Sequence, residues 1–308
     1  MTHSPIRLSR RHRAAAGVAA ASAALFSLCA PAATAQSPAV AAGDGPNYVA
    51  LGDSYASGAG LPDVKDKDCD RTKYGYAHLI STSSAVAGLN RAFKDVTCSG
   101  ATTREFWNSK GTTPPQANAL TPNTKLVTLT MGGNDVGFVE VLTTCTKQAI
   151  LTGLKGSPCK AEFTKGGKDE LGERINTMEG RIRDVLAEVR RRSPDAKVIV
   201  VGYPALFPDN GVGCPSAGVP IAEGDFAFLR DTTKKLNRAL QRQAAAGGVG
   251  MYFADTYALT AGHDMCQPGK ERWIEPLMKP AEDTQIAHPN KFGQYAMALS
   301  AMVQINKQ

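Results

Sequence analysis

Apolar and polar positions follow two rhythms along the chain. Short apolar runs occur at Tyr48-Val49-Ala50-Leu51, at 93–97, 126–131, 197–201 and 249–254, and several stop at glycines such as Gly52, Gly132-Gly133 and Gly202. Runs this short, bounded by turn residues, predict buried strands. The second rhythm is helical. In 169–192, Ile175, Met178, Ile182, Val185, Leu186 and Val189 recur every three or four positions, and Ser193-Pro194 ends the pattern. Segments 76–89, 136–142 and 226–245 read the same way, the last closed by Gly247-Gly248. A final helix is expected over 289–303 with Pro289 at its start. Strands alternating with helices predict an α/β fold, one three-layer α/β/α domain around a central parallel sheet. Segments 60–75, 104–125, 143–168 and 204–220 are rich in glycine and proline and are expected to be loops that wall a substrate cleft. No internal repeat is visible.

The first residues do not belong to this pattern. Arg7, Arg10, Arg11 and Arg13 precede a small, apolar stretch at 14–30, and Ala33-Thr34-Ala35 forms a small-x-small cleavage site. Residues 1–35 therefore read as a secretory signal peptide, with Gln36 as the new N-terminus. Ser9-Arg10-Arg11 contains a twin arginine without the usual bulky apolar pair after it, so general secretion is the expected route. Residues 36–46, rich in Ala, Ser, Pro and Gly, read as a linker to a domain at 47–308. No later stretch is apolar for the length of a membrane span.

Removing the leader changes both charge and cysteine count. The formal charge is +7, but four arginines leave with the leader and no acid does, so 31 basic residues face 28 acidic ones, a net +3. That is too weak to argue for nucleic acid. Cys29 leaves too. The remaining Cys69, Cys98, Cys145, Cys159, Cys214 and Cys266 form an even set, which in an exported chain argues for three disulfides. Of the possible pairings, sequence neighbours are expected: Cys69–Cys98, Cys145–Cys159 and Cys214–Cys266. Their spacing is wrong for zinc.

Four segments carry chemistry. Gly52-Asp53-Ser54-Tyr55 follows the first strand, where a serine entering a helix can be a nucleophile or merely a cap. Cys98-Ser99-Gly100 offers an unhindered glycine N–H. Met131-Gly132-Gly133-Asn134-Asp135 follows another strand, and Asn134 presents a neutral amide donor suited to an oxyanion. His288-Pro289-Asn290 precedes the last helix, and its imidazole suits proton shuttling. Two other histidines remain after the leader: His78 reads as structural, and His263, beside Asp264, is a weaker candidate base.

Together these segments resemble the SGNH subgroup of the GDSL hydrolases. The family's marks are a Ser in GDS, a Gly, an Asn in GxND and a C-terminal His; here they match Ser54, Gly100, Asn134 and His288, in the same order. The resemblance spans about 47–305 and is strongest to secreted actinobacterial lipases and esterases, which also carry six cysteines. It implies a flavodoxin-like sheet and a serine esterase or lipase acting on carboxylic esters: acylglycerols, simple acyl esters, phospholipids. Ser54 would form an acyl-enzyme with His288 as general base, and the N–H groups of Ser54 and Gly100 with the Asn134 amide would form the oxyanion hole. It implies a small-molecule or lipid ester substrate, no metal or organic cofactor, transient contact with lipid surfaces, and a monomer. A carbohydrate acetylesterase, with Phe106 and Trp107 stacking on sugar, is the alternative. A secreted binding protein with a dead site is the reading from another class, and the intact Ser, Gly, Asn and His argue against it.

One departure stands out. Many members carry an Asp three residues before the His, where this chain has Gln285. A main-chain carbonyl, from Gln285 or Ile286, is expected to orient His288 instead, with Asp283 as the alternative. Activity is expected to fall as an unshifted His288 protonates, at about pH 6 to 7.

Overall fold

A computed structural model describes residues 45–87, 92–216, 218–278, 280 and 284–307. The expected leader, most of the linker, and Asp283 lie outside the described residues. In chain order the elements are β1 (Tyr48–Gly52), α1 (Ser54–Ser57), β2 (Val64–Asp66), β3 (Arg71–Thr72), α2 (Tyr76–Ser81), β4 (Phe93–Asp95), α3 (Arg104–Trp107), β5 (Leu126–Thr130), α4 (Gly133–Val136), α5 (Phe138–Leu151), α6 (Pro158–Phe163), α7 (Glu170–Arg192), β6 (Lys197–Val201), α8 (Asp225–Ala246), β7 (Met251–Ala254), α9 (Thr256–Thr260) and α10 (Lys291–Ile305).

The main sheet has the order β4-β1-β5-β6-β7, every neighbouring pair parallel. β1 and β5 are buried along their whole length, as strands covered on both faces must be. Helices α7 and α8 pack together against one face, and α10 packs with α2 and α9 against the other. The result is the three-layer α/β/α arrangement. Chain order reverses beside β1, because the strands that follow it lie on both its sides. A crevice opens at such a point, beyond the carboxyl ends of the two diverging strands. Gly52 pairs with Thr130, so the segments leaving β1 and β5 emerge side by side at that crevice.

Local chemistry explains both the agreements and the departures. Asp169 caps α7 by accepting from the Gly172 N–H, and the acids of the first turn and arginines of the last complement the helix dipole. The helix expected over 76–89 stops at Ser81. The hydroxyls of Ser81, Thr82 and Ser83 all donate back to carbonyls of the preceding turn, which is how clustered hydroxyls compete with helix continuation. The last helix begins at Lys291 rather than Pro289: Asn290 is the cap, accepting from the N–H groups of Phe292 and Gly293, and Pro289 instead bridges to Ile274. Two of the expected loops are also largely ordered. Segment 143–168 holds most of α5 and all of α6, which the Cys145–Cys159 disulfide joins. Segment 104–125 begins with α3. The other disulfides are Cys69–Cys98 and Cys214–Cys266.

Candidate active site

β1 ends in a turn that only glycine permits. Gly52 has φ +144°, and a Cβ there would sit 2.4 Å from the Thr130 carbonyl oxygen. The Gln116 amide closes on both backbone groups of Gly52, at 2.8 Å each. Asp53 then caps the single turn of α1, accepting from the Tyr55 N–H. Ser54 is thereby delivered to the crevice, 7% exposed.

His288 arrives from the opposite end of the chain. Its N–H donates to the Gln285 carbonyl, closing a turn in which Ala287 has φ +58°, the left-handed third position of a type II turn. Tyr55 donates to the Ala287 carbonyl at 2.6 Å and lays its ring 4.7 Å from the imidazole. Backbone bonds between Glu275 and both Ala287 and His288 hold the turn from the other side. In this setting His288 Nε2 lies 2.7 Å from Ser54 Oγ, and Nδ1 lies 2.8 Å from the Ile286 carbonyl. The Gln285 carbonyl, the first expectation for the orienting group, is instead used by the turn itself. Forming that turn frees the next carbonyl, Ile286, to face the ring.

Burial holds the His288 imidazole well below its ordinary range, at about 4, against the smaller opposing effects of the Ile286 carbonyl and Asp70. The expectation of a titration at about pH 6 to 7 is corrected accordingly: the enclosed ring stays neutral through mild acid.

The third segment is held by a carboxylate and a disulfide. Cys69–Cys98 anchors its start, and the Ser99 N–H donates to the Cys69 carbonyl. Thr103 donates through both N–H and hydroxyl to Asp135, tying this loop to α4. Gly100 between them has φ +76° in open space, so its glycine serves conformation rather than room. The Asn134 amide donates to the Ala101 carbonyl at 2.9 Å, which orients it and leaves its second N–H unused by that bond. Among the described residues, neither the Ser54 N–H nor the Gly100 N–H has a protein acceptor.

A buried strut joins the two diverging loops. The Tyr203 hydroxyl donates to Asp53 at 2.5 Å and accepts from the Gly133 N–H at 2.7 Å. Paired bonds of 2.8 Å between the Tyr203 backbone and the Asn237 amide pin it in place. Burial pushes the Asp53 carboxyl up to about 7, although Tyr203 and the Tyr55 N–H favour its charged form. Sequence reasoning missed Tyr203 and Asp135 as parts of this site. The signals were weak: a tyrosine just beyond a strand, and an aspartate beside a glycine pair.

Ser54, Gly100, Asn134 and His288 line one cleft. Its far wall is apolar: Val136, Phe138 and Val139 from α4 and α5, Leu206, and Leu236 of α8. Helices thus form most of the wall, and of the segments expected to do so only 204–220 contributes, through Leu206. The remaining candidates lie elsewhere. His263 stacks on Trp273 at 3.5 Å and uses Nδ1 on the Glu271 carbonyl. Phe106 is buried, and Trp107 packs edge-on against it outside the cleft lining. Among the described residues no group of three or more His, Cys, Asp or Glu is arranged to hold a metal ion.

Residues 50–296 match the GDSL-like Lipase/Acylhydrolase family. Lipase 2 of Streptomyces coelicolor is 36% identical over 260 residues, covering 83% of this chain and 84% of its own. The extracellular lipase of Streptomyces rimosus superimposes with a TM-score of 0.67 at 30% identity, over 82% of this chain and 98% of that one. Phospholipase A1 of Streptomyces albidoflavus gives 0.66 at 30% identity, over 82% and 97%.

Proposed function

Because the chain belongs to the GDSL-like lipase/acylhydrolase family and is a carboxylic ester hydrolase, we propose that Ser54 is its nucleophile and His288 its general base. The observation that carries this reading is the line of contacts from Ile286 O through His288 to Ser54 Oγ. A carbonyl can only accept, so Nδ1 carries the proton. Nε2 then holds a lone pair and must accept from the Ser54 hydroxyl. The tautomer needed to activate the serine is therefore fixed without a carboxylate.

The reaction follows from that arrangement. His288 takes the hydroxyl proton as Ser54 Oγ bonds to the ester carbonyl carbon. The carbonyl oxygen becomes an oxyanion, held by the Ser54 and Gly100 N–H groups and the free N–H of Asn134. Collapse breaks the C–O bond to the alcohol, which leaves with the proton from His288. Water then attacks the acyl-enzyme by the same route, regenerating Ser54 and releasing the acid.

The substrate is an ester with an extended acyl chain. Thr232 and Thr233 line the cleft, but their hydroxyl protons are committed to the Phe228 and Leu229 carbonyls, so they offer a polar ligand no donor. An acetylated sugar would leave the apolar wall unused. Acylglycerols, simple acyl esters and phospholipids all carry the required chain. Three disulfides and an extracellular relative support secretion, with residues 1–35 as the leader and the hydrolase domain at 47–308. A serine-directed alkyl phosphonate should label the wild type and leave Ser54→Ala unlabelled. A p-nitrophenyl ester series should favour chains longer than acetyl; a preference for acetate, or for an acetylated sugar, would overturn the acyl assignment.

A further inference from the structure

The rim of the cleft leads onto a basic surface. Val139, in the first turn of α5, lines the cleft and is itself 65% exposed. The same exposed face of α5 continues through Thr143 and Lys147 to Ile150 and Leu151, which are 62% and 71% exposed. At the helical rise this places the two ends about 17 Å apart. Beyond the turn, Lys155, Lys160, Lys165 and Lys168 are exposed on and around α6. The two acids of segment 138–168 are both occupied, Glu140 by Arg174 at 3.0 Å and Glu162 by Lys165 at 3.3 Å. Among the described residues Lys147, Lys155 and Lys168 have no carboxylate within ion-pair distance.

A groove beside this surface ties it to the catalytic cleft. It is lined by Lys160, Lys168 and Lys235, and it shares Thr232 with the cleft. The acids along it, Asp169 and Asp231, are paired with Lys235 and Arg230 at 2.8 Å each. Unpaired cations, exposed aliphatic side chains and the mouth of an acyl site thus lie on contiguous surface.

We propose that the α5–α6 segment docks on an anionic lipid surface and presents the cleft to it. Ile150, Leu151 and Val139 enter the acyl boundary, while Lys147, Lys155 and Lys168 meet lipid phosphates. A basic amphipathic face adsorbs in this way through buried apolar area plus attraction to anionic headgroups. Each lysine near such a surface strengthens partitioning by about fivefold at physiological salt. The charge selects this face over the apolar stripe of α10, where Phe292, Tyr295 and Leu299 are exposed. The lysine that opens that stripe, Lys291, has its ammonium over the Tyr74 ring at 4.2 Å. The proposal rests on the reading that the cleft takes acyl chains.

Co-sedimentation tests it. The full chain carrying Ser54→Ala, which leaves the lipid intact, is spun with vesicles of phosphatidylcholine alone or mixed with phosphatidylglycerol. The mixed vesicles should bind more protein, and rising salt should release it. Adding Lys147→Gln, Lys155→Gln and Lys168→Gln should weaken that binding by about a hundredfold. Ile150→Ser with Leu151→Ser should weaken it on both vesicle types, and Phe292→Ser with Tyr295→Ser should leave it unchanged. With Ser54 restored, the lysine and leucine–isoleucine variants should turn over a soluble short-chain ester at the wild-type rate, which also shows that they fold. Equal binding to both vesicle types would overturn the proposal, as would loss of binding only in the α10 variant. So would self-association through α5–α6 in place of vesicle binding. Turnover of the soluble ester without vesicle binding refutes the docking surface alone, whereas no turnover by the wild type refutes the enzymatic reading beneath it.

Discussion

The two sides of the cleft are stiffened by different means. On the oxyanion side, side chains do the bracing: Asp135 holds Thr103, Tyr203 bridges Asp53 to Gly133, and Cys69–Cys98 anchors the loop that carries Gly100. On the histidine side, backbone bonds do most of the bracing, joined by the Tyr55 hydroxyl on the Ala287 carbonyl. The 285–288 turn, the pairing with Glu275 and the Ile286 carbonyl fix the imidazole with no described carboxylate in contact with it. Side-chain bracing holds unpaired N–H donors still, as the proposed oxyanion role requires. Backbone bracing fixes a tautomer, which needs one acceptor at one place. The missing aspartate three residues before His288 thus removes a charge but leaves the ring an orienting acceptor in the Ile286 carbonyl.

The comparison breaks most visibly at the reacting groups. His288→Ala should lower kcat by about 10⁴- to 10⁶-fold with little change in KM, because the proton then has no acceptor. Steady-state kinetics on a soluble p-nitrophenyl ester measures this. On the oxyanion side, Asn134→Ala should lower kcat by about 10²- to 10³-fold, again with KM nearly unchanged, since the amide meets charge only in the transition state. A KM effect of that size with kcat intact would move Asn134 from transition-state stabilisation to substrate binding.

The pH profile sharpens the comparison further. His288 must be neutral to accept a proton, and enclosure keeps it so down to about 4. The acid limb of kcat/KM is therefore expected well below the ordinary histidine range. The same shift affects stability with a definite sign. The unfolded chain protonates this histidine near its ordinary value while the folded chain does not, so stability is lost as pH falls through that window towards about 4. Asp53, raised to about 7, works the other way: the folded chain binds its proton more tightly, and its contribution is lost as pH rises. In thermal melts from pH 5 to 8, the wild type should lose stability relative to Asp53→Asn as that carboxyl ionises.

Much of the fold and of the site is legible in the sequence. Helix α7 is legible because its apolar residues keep one face and Asp169 marks its start. The four motif residues are legible because strand, glycine and reactive side chain lie adjacent in sequence. Other features depend on contacts that sequence distance hides. Tyr203 reaches Asp53 across 150 positions, and neither residue signals the other. The choice of Ile286 over Gln285 hinges on Ala287 adopting positive φ without being glycine, a conformation that surrounding hydrogen bonds impose and that residue type does not announce. The ordered helices in 143–168 were obscured by threonines, lysines and glycines, and they rest on a disulfide and on packing against α8.

The central claim is that a backbone carbonyl, not a carboxylate, orients His288. Asp283 is the carboxylate that sequence offers in its place, so kcat of Asp283→Asn on a soluble ester tests the claim most directly. If the Ile286 carbonyl is the partner, kcat should stay within about threefold of the wild type, with the acid limb unmoved. A fall of about a thousandfold or more would contradict it and make Asp283 the acid of a true triad.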